Sequence, residues 1–241
     1  MKQTRRLPNP DSRSPTFVLF DFDGTLSSGD SAALFIFYCF RHSVRPWLFL
    51  PVVLSGFAVH LLAWVSRLFM GTDKCRVRRI DILWREMVRC FITPGMVKKF
   101  APAFIKLHRV DRFGWAAEQV AKERDAGNTV ILTTGGPSCL LFALAADMGF
   151  DYIICSEMEP AQPWKFRFFN YGANKIVSLC ALQSSEFRVQ SSDKNNCTLN
   201  SALCTLNIIR AYSDSSSDIP MMSLAREQVW INPRTGCRVE K

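Results

Sequence analysis

The stretch Phe17-Val18-Leu19-Phe20-Asp21-Phe22-Asp23-Gly24-Thr25-Leu26 decides how this chain is read. An apolar, strand-forming run ends in two carboxylates, and a glycine follows at once. Residues two apart on a strand share a face, and Gly24 lets the backbone bend straight afterwards. Asp21 and Asp23 are therefore expected to project from the strand's carboxyl end into one crevice. Two like charges so close are costly unless a cation or a shared proton relieves them. A purely structural acid pair at a strand-to-turn junction is the competing reading.

Outward from this strand the chain changes character twice. Residues 31–108 are aromatic, basic and mostly helical in pattern, which marks an insertion. From Asp111 onward strands and helices alternate. A helix over about 112–126 stops at Gly127-Asn128, and the apolar run 129–133 reads as a buried strand. A second helix spans about 137–148, with Gly149 after it. A strand over 151–155 leads to an aromatic segment, 164–171, that reads as a hairpin used for packing rather than as a pocket wall. A helix starts near Asn174, a Ser/Asn-rich loop covers about 184–201, and the run 205–212 is a strand feeding Ser213-Asp214. This alternation predicts an α/β fold with a doubly wound parallel-sheet (Rossmann-like) core and an inserted helical cap. The expected division is a disordered basic leader over 1–15, an α/β core over 16–30 and 109–241, and the cap over 31–108.

The 241 residues, 48% of them hydrophobic, suffice for a sizeable core. A formal charge of +9 implies an anionic partner, whether nucleic acid, an acidic membrane surface or a phosphorylated substrate. The basic residues gather beside apolar sequence instead of forming a stacking platform, which argues against nucleic acid. The nine cysteines include no C-x-x-C pair and read as reduced core thiols. No cleavable secretory signal is expected, because the apolar run at Phe17 is short and ends in acids. His42, His60 and His108 share no spacing and receive no catalytic part.

Three further polar sites fall where this topology would gather them. Thr133-Thr134-Gly135-Gly136-Pro137 ends one strand and opens a helix, so its hydroxyls and N–H groups suit a phosphate as well as an ordinary cap. Lys175 sits at a helix start, where the dipole disfavours a cation unless an anion needs it. Asp214-Ser215-Ser216-Ser217-Asp218 places two carboxylates four apart at a strand-to-helix junction, a hard-oxygen set suited to magnesium.

In order and spacing these four segments resemble the haloacid dehalogenase superfamily of phosphotransferases. Ser213 departs from the glycine that many relatives carry before the aspartate. The resemblance implies that Asp21 is the nucleophile and Asp23 the general acid and base. It further implies that Thr134, Gly135 and Lys175 bind the phosphoryl group. Mg²⁺ would be held by Asp21, Asp23 through its backbone carbonyl, and Asp214, with Asp218 in support directly or through water. Within the superfamily the early aromatic insertion, Tyr212-Ser213-Asp214-Ser215, Asp218-Ile219-Pro220 and Trp230-Ile231-Asn232-Pro233-Arg234 look similar to the branch containing phosphoserine phosphatase. They look closer still to phosphatidylglycerophosphatases of the C type. That similarity implies a membrane lipid phosphate, such as phosphatidylglycerol phosphate, as substrate. Asp30 lies where the phosphoserine phosphatase branch places an acidic substrate contact, and it is equally placed to cap the following helix.

Residues 46–66, PWLFLPVVLSGFAVHLLAWVS, carry no formal charge and are bracketed by Arg45 and Arg67. As a helix they would span about 30 Å, the depth of a bilayer's hydrocarbon layer. A single crossing would put Asp21 and Thr134 on opposite sides of the membrane and dismantle the site. The expectation is a re-entrant or interfacial element at the cytoplasmic face, with Arg41, Arg45, Arg67, Lys74, Arg76, Arg78 and Arg79 drawn to acidic lipid. A buried cap helix or a dimer seam is the competing reading, and it goes with a soluble cytoplasmic phosphatase for phosphoserine or a related phosphomonoester. A membrane-surface module without catalysis is the third, and the complete set of acids argues against it.

Overall fold

The computed structural model describes residues 15–43, 92–159, 162–187 and 206–239, together with Pro51, Leu54, Ser55, Ala58, Leu61 and Val65. Its strands are β1 (Thr16–Phe20), β2 (Thr129–Pro137), β3 (Tyr152–Glu159), β4 (Gln162–Phe168), β5 (Asn207–Ser213), β6 (Glu227–Ile231) and β7 (Arg238–Val239). They form one sheet in the order β4-β3-β2-β1-β5-β6-β7. The five central strands run parallel, and β4 and β7 add antiparallel edges. The chain winds from β1 through β2 to β3 on one side and through β5 to β6 on the other. The order thus reverses at β1, and crevices for ligands open at the carboxyl ends of strands where that happens.

β1 reads as a continuous apolar run because both of its faces are covered. Val18, Leu19 and Phe20 are all fully buried. Val18 and Phe20 join Val130 and Leu132 of β2 on one face, while Leu19 joins Ile131 and Ala211 on the other. Phe20 also stacks on Tyr212 of β5, the ring centroids 4.4 Å apart. The β1–β5 ladder carries an irregularity between Phe17 and Val18, which pair with Ile208 and Arg210.

The helices are α1 (Ser31–His42), α2 (Pro94–His108), α3 (Ala116–Asp125), α4 (Ser138–Leu144), α5 (Asn174–Phe187) and the short α6 (Ile219–Met222). The chain reaches α1 through Asp30, whose Oδ1 accepts the Ala33 N–H at 2.9 Å. Thr93 caps α2 in the same way, with Pro94 in the first turn, where a missing N–H costs nothing. Phe35 of α1 meets Phe104 of α2 edge-on at 5.1 Å. Both belong to the apolar cluster that includes Val18 and Phe20 of β1, so α1 and α2 share the core of the sheet.

Several boundaries differ from the sequence expectation. α3 starts at Ala116 rather than near 112, because the preceding residues are held elsewhere: Phe113 N–H donates to Leu26 O and Ser28 N–H to Asp111 O, both at 3.0 Å. α4 stops at Leu144 instead of about 148. β2 runs four residues further than expected, to Pro137, which pairs with Ser156 of β3. β3 likewise extends to Glu159 to form the hairpin with β4, and α5 continues to Phe187 into the expected loop.

Cys39 and Cys155 are buried thiols, and burial pushes both, and Cys139, up to about 12. Cys237 is exposed, which corrects its reading as a core thiol: it lies in the turn before the edge strand β7. Cys75, Cys90, Cys197 and Cys204 lie outside the described residues, as do the leader and most of the apolar run 46–66. Pro51, Leu54, Ser55, Ala58, Leu61 and Val65 are helical, and Leu54 and Leu61 are 56% and 47% exposed. Among the described residues no helix is long and apolar enough to cross a membrane.

Phe35→Ala removes a fully buried ring from the shared core. The expected loss is about 3–5 kcal/mol in urea unfolding. A loss under about 1 kcal/mol would separate the insertion's packing from that of the sheet.

Candidate active site

All of the site residues expected from sequence line one cavity of about 330 Å³ at the carboxyl ends of β1, β2 and β5. Asp21 follows β1 directly, its N–H still bonded to Tyr212 O at 3.0 Å, so the sheet fixes its backbone. Gly24 then turns the chain at φ +78°, and a Cβ on it would stand 2.4 Å from Asp214 Oδ2. That close approach of backbone and carboxylate is open only to glycine. Thr25 joins the two strand ends: its Oγ1 accepts the Asp214 N–H at 3.1 Å and lies 3.2 Å from Asp214 Oδ1 and 3.4 Å from Asp21 Oδ2.

Lys175, 2% exposed, enters from α5 and donates to Asp21 Oδ1 and Asp218 Oδ2, each at 2.8 Å. Burial alone would lower the pKa of its ammonium, but the two carboxylates outweigh that and raise it, so Lys175 stays charged. Ser213, the departure from the usual glycine, is fully buried. Its hydroxyl donates to Asp218 Oδ2 at 2.8 Å and accepts the Ser215 N–H at 3.1 Å. The Ser213 side chain thus braces the aspartate that braces Lys175.

The phosphate-loop candidates are held from behind. Thr134 is 1% exposed, and its Oγ1 accepts the Gly136 N–H at 3.2 Å. Asn170, fully buried, donates through Nδ2 to Thr133 Oγ1 and Thr134 O, and accepts Ser178 Oγ of α5 at 2.8 Å. Ser156 donates to Gly135 O at 2.7 Å and accepts the Asn170 N–H. One buried side chain therefore ties the Thr134 loop to the helix that carries Lys175. Sequence reading missed Asn170, Ser156 and Ser31, and it quoted Thr25 within the first motif without giving it a role. Their only signal was a small polar residue beside a motif, which is common in loops.

Two expectations are corrected or resolved here. The aromatic segment supplies pocket wall after all: Phe169 and Tyr171 line the cavity, their rings stacked 5.3 Å apart. Tyr171 is held there because it rests on Gly135, where a Cβ would meet its ring at 3.4 Å. Asp30 caps α1 and also lines the cavity, so the two roles weighed for it are compatible. His108 lies away from the crevice, its Nδ1 2.6 Å from Asp111 Oδ2.

Burial pushes the Asp21 carboxyl up to about 7, against the pull of Lys175, and like charge from Asp218 and Asp214 adds to the rise. Burial and then Asp30 raise Asp23 well above the usual carboxyl range, and burial raises Asp214. Among the described residues no group of three or more His, Cys, Asp and Glu side chains stands ready to hold a metal. The set implied by the resemblance needs only Asp21, Asp214 and the Asp23 carbonyl, since Mg²⁺ keeps several waters. Hard-oxygen donors whose ionisation is held back chiefly by their removal from water fit such a dication. Asp218 is engaged by Lys175 and Ser213, which leaves it better placed to support the ion through water than to bind it directly.

A buried aspartate at the switch point of a doubly wound sheet, beside a buried lysine and a glycine-threonine loop, is an arrangement suited to an anionic group. The chain belongs to the haloacid dehalogenase-like hydrolase family, which matches residues 18–223. No curated protein sequence matches the chain. Among solved structures it is similar to a protein of unknown function from Bordetella pertussis Tohama I, with 17% identity, 92% of each chain covered and a TM-score of 0.58. It is also similar to a substrate-bound phosphoserine phosphatase complex, with 14% identity, 90% of this chain and 86% of that one covered, and a TM-score of 0.53. A phospho-aspartyl intermediate analogue of phosphoserine phosphatase matches at 14% identity, 91% and 87% coverage and a TM-score of 0.54. At these identities the likeness is one of fold.

The raised Asp21 pKa has a consequence for stability. Between its unfolded value near 3.8 and its folded value near 7 the native state binds the extra proton, so stability falls as pH rises through that window. In chelator-treated protein the melting temperature is expected to fall from pH 5 to pH 7.5 and Asp21→Asn to flatten the fall, as read by scanning fluorimetry. An unchanged slope in the variant would contradict the assignment.

Proposed function

We propose that this protein is a Mg²⁺-dependent phosphomonoester hydrolase working through an aspartyl-phosphate. Its substrate is a phosphorylated membrane lipid such as phosphatidylglycerol phosphate, met at the cytoplasmic face of a membrane. The observation that carries the phosphatase reading is the buried bridge from Lys175 to Asp21 and Asp218, within one cavity that also holds Thr134, Gly135 and Asp214. Phosphoryl transfer needs alignment and charge neutralisation above all, and this cluster offers both. The fold shared with a phospho-aspartyl analogue of phosphoserine phosphatase is in keeping with the intermediate.

In the first half-reaction a carboxylate oxygen of Asp21 bonds to phosphorus, and the ester oxygen departs with a proton from Asp23. In the second, Asp23 takes a proton from water as its oxygen bonds to phosphorus, which frees Asp21 and releases phosphate. Lys175 and Thr25 hold the plane of the Asp21 carboxyl, while Thr134 and the Gly135 N–H group receive phosphoryl oxygens. Asp21, the Asp23 carbonyl and Asp214 would hold Mg²⁺, which would supply the positive charge that lets two anions approach.

The lipid reading rests on the cap. Residues 46–66 carry no formal charge, and Leu54 and Leu61 within them are helical and exposed. Exposed Leu34 and Phe37 on α1 and the flanking arginines add the apolar and cationic features that an acidic lipid surface attracts. The aromatic wall of Phe169 and Tyr171 suits a substrate with apolar bulk behind its phosphate.

Asp21→Asn is expected to abolish phosphate release, at least about a thousandfold, with the circular dichroism spectrum unchanged. For detergent-purified wild type, Mg²⁺-dependent release should favour phosphatidylglycerol phosphate over phosphoserine. Preference for phosphoserine would overturn the lipid substrate and leave the phosphatase chemistry standing.

A further inference from the structure

The carboxyl of Asp23 is gripped by the inserted helix rather than by the sheet. Ser31, the first residue of α1, gives it two hydrogen bonds: the backbone N–H reaches Oδ1 at 2.9 Å and the hydroxyl lies 3.1 Å from Oδ2. Ser31 is fully buried. On the other side stands Gly136 of the phosphate loop, where a Cβ would lie 3.4 Å from Asp23 Oδ2. The carboxyl is thus set between the loop that receives phosphoryl oxygens and the first turn of the insertion.

We propose that Ser31 is a positioning residue that orients Asp23 towards the leaving-group oxygen, so that the inserted helix, and not the core alone, aligns the proton donor. The geometry is specific in two respects. The two contacts fix both oxygens and therefore the rotation of the carboxyl plane, which a single hydrogen bond leaves free. The hydroxyl donates to Oδ2 and leaves that oxygen's second lone-pair site for the proton passed to the leaving group, so the grip persists through both half-reactions. Asp30 takes the Ala33 N–H of the same helix end and so does not compete for the Ser31 N–H.

The inference rests on the general-acid role proposed for Asp23, and leaving-group dependence tests each separately. An alkyl phosphate expels a basic alkoxide and needs the proton, whereas p-nitrophenyl phosphate expels a stable phenolate and needs it little. Ser31→Ala is expected to lower kcat on n-propyl phosphate by about tenfold or more, to change p-nitrophenyl phosphate turnover by less than about threefold, and to leave KM for both nearly unchanged. Ser31→Thr keeps the N–H and the hydroxyl and should recover most of the alkyl activity. An equal loss on both substrates, or no recovery in Ser31→Thr, would overturn the positioning role. Asp23→Asn is the reference. If it is selective against the alkyl ester while Ser31→Ala is not, only the inference on Ser31 falls. If Asp23→Asn is itself indifferent to the leaving group, the acid assignment falls and the inference with it.

Discussion

The ammonium of Lys175 between Asp21 and Asp218 is the contact on which the rest of the site depends. A lysine taken so far out of water is tolerated only when opposite charges meet it at hydrogen-bond distance. The contact joins three parts of the chain: the end of β1, the turn after β5, and α5, which carries the lysine. Asp218 is in turn held by Ser213, and the foot of α5 is tied through Ser178 to Asn170 and on to the Thr134 loop. The sheet supplies the geometry that makes this affordable in free energy. β1 lies between β2 and β5 in parallel register, so three strand ends present their side chains at one level.

Much of this was legible in the sequence because the chemistry is written in short, positionally constrained runs. Asp21-Phe22-Asp23-Gly24-Thr25 follows an apolar strand, and Gly24 is there because Asp214 presses on its α-carbon. The strand-helix alternation gave the sheet class, although the boundaries of α3 and β2 were set by contacts far apart in sequence, such as Phe113 with Leu26 and Pro137 with Ser156. What stayed hidden were groups whose work depends wholly on tertiary placement. Asn170 and Ser156 are ordinary loop and strand residues until folding buries them behind the phosphate loop. Tyr171 and Phe169 have the composition of a packing hairpin, and only the close seat on Gly135 turns them towards the cavity. Ser213 read as a departure from pattern, yet its hydroxyl serves two partners that a glycine would leave to others.

Charge and apolarity are segregated in this molecule. The acids of the site are drawn inwards, where burial holds back their ionisation, while the formal charge of +9 comes from basic residues in sequence outside the described parts.

The packing of α1 and α2 onto the same apolar cluster as β1 has a mechanical meaning. A cap resting on a polar seam could swing as a rigid plate, but these helices cannot lift without baring Phe35, Phe104 and the flank of the sheet to water. Any widening at the mouth must come from sliding within that oily contact, or from the outer turns remote from it. Admission of a bulky guest is thereby confined to small displacements.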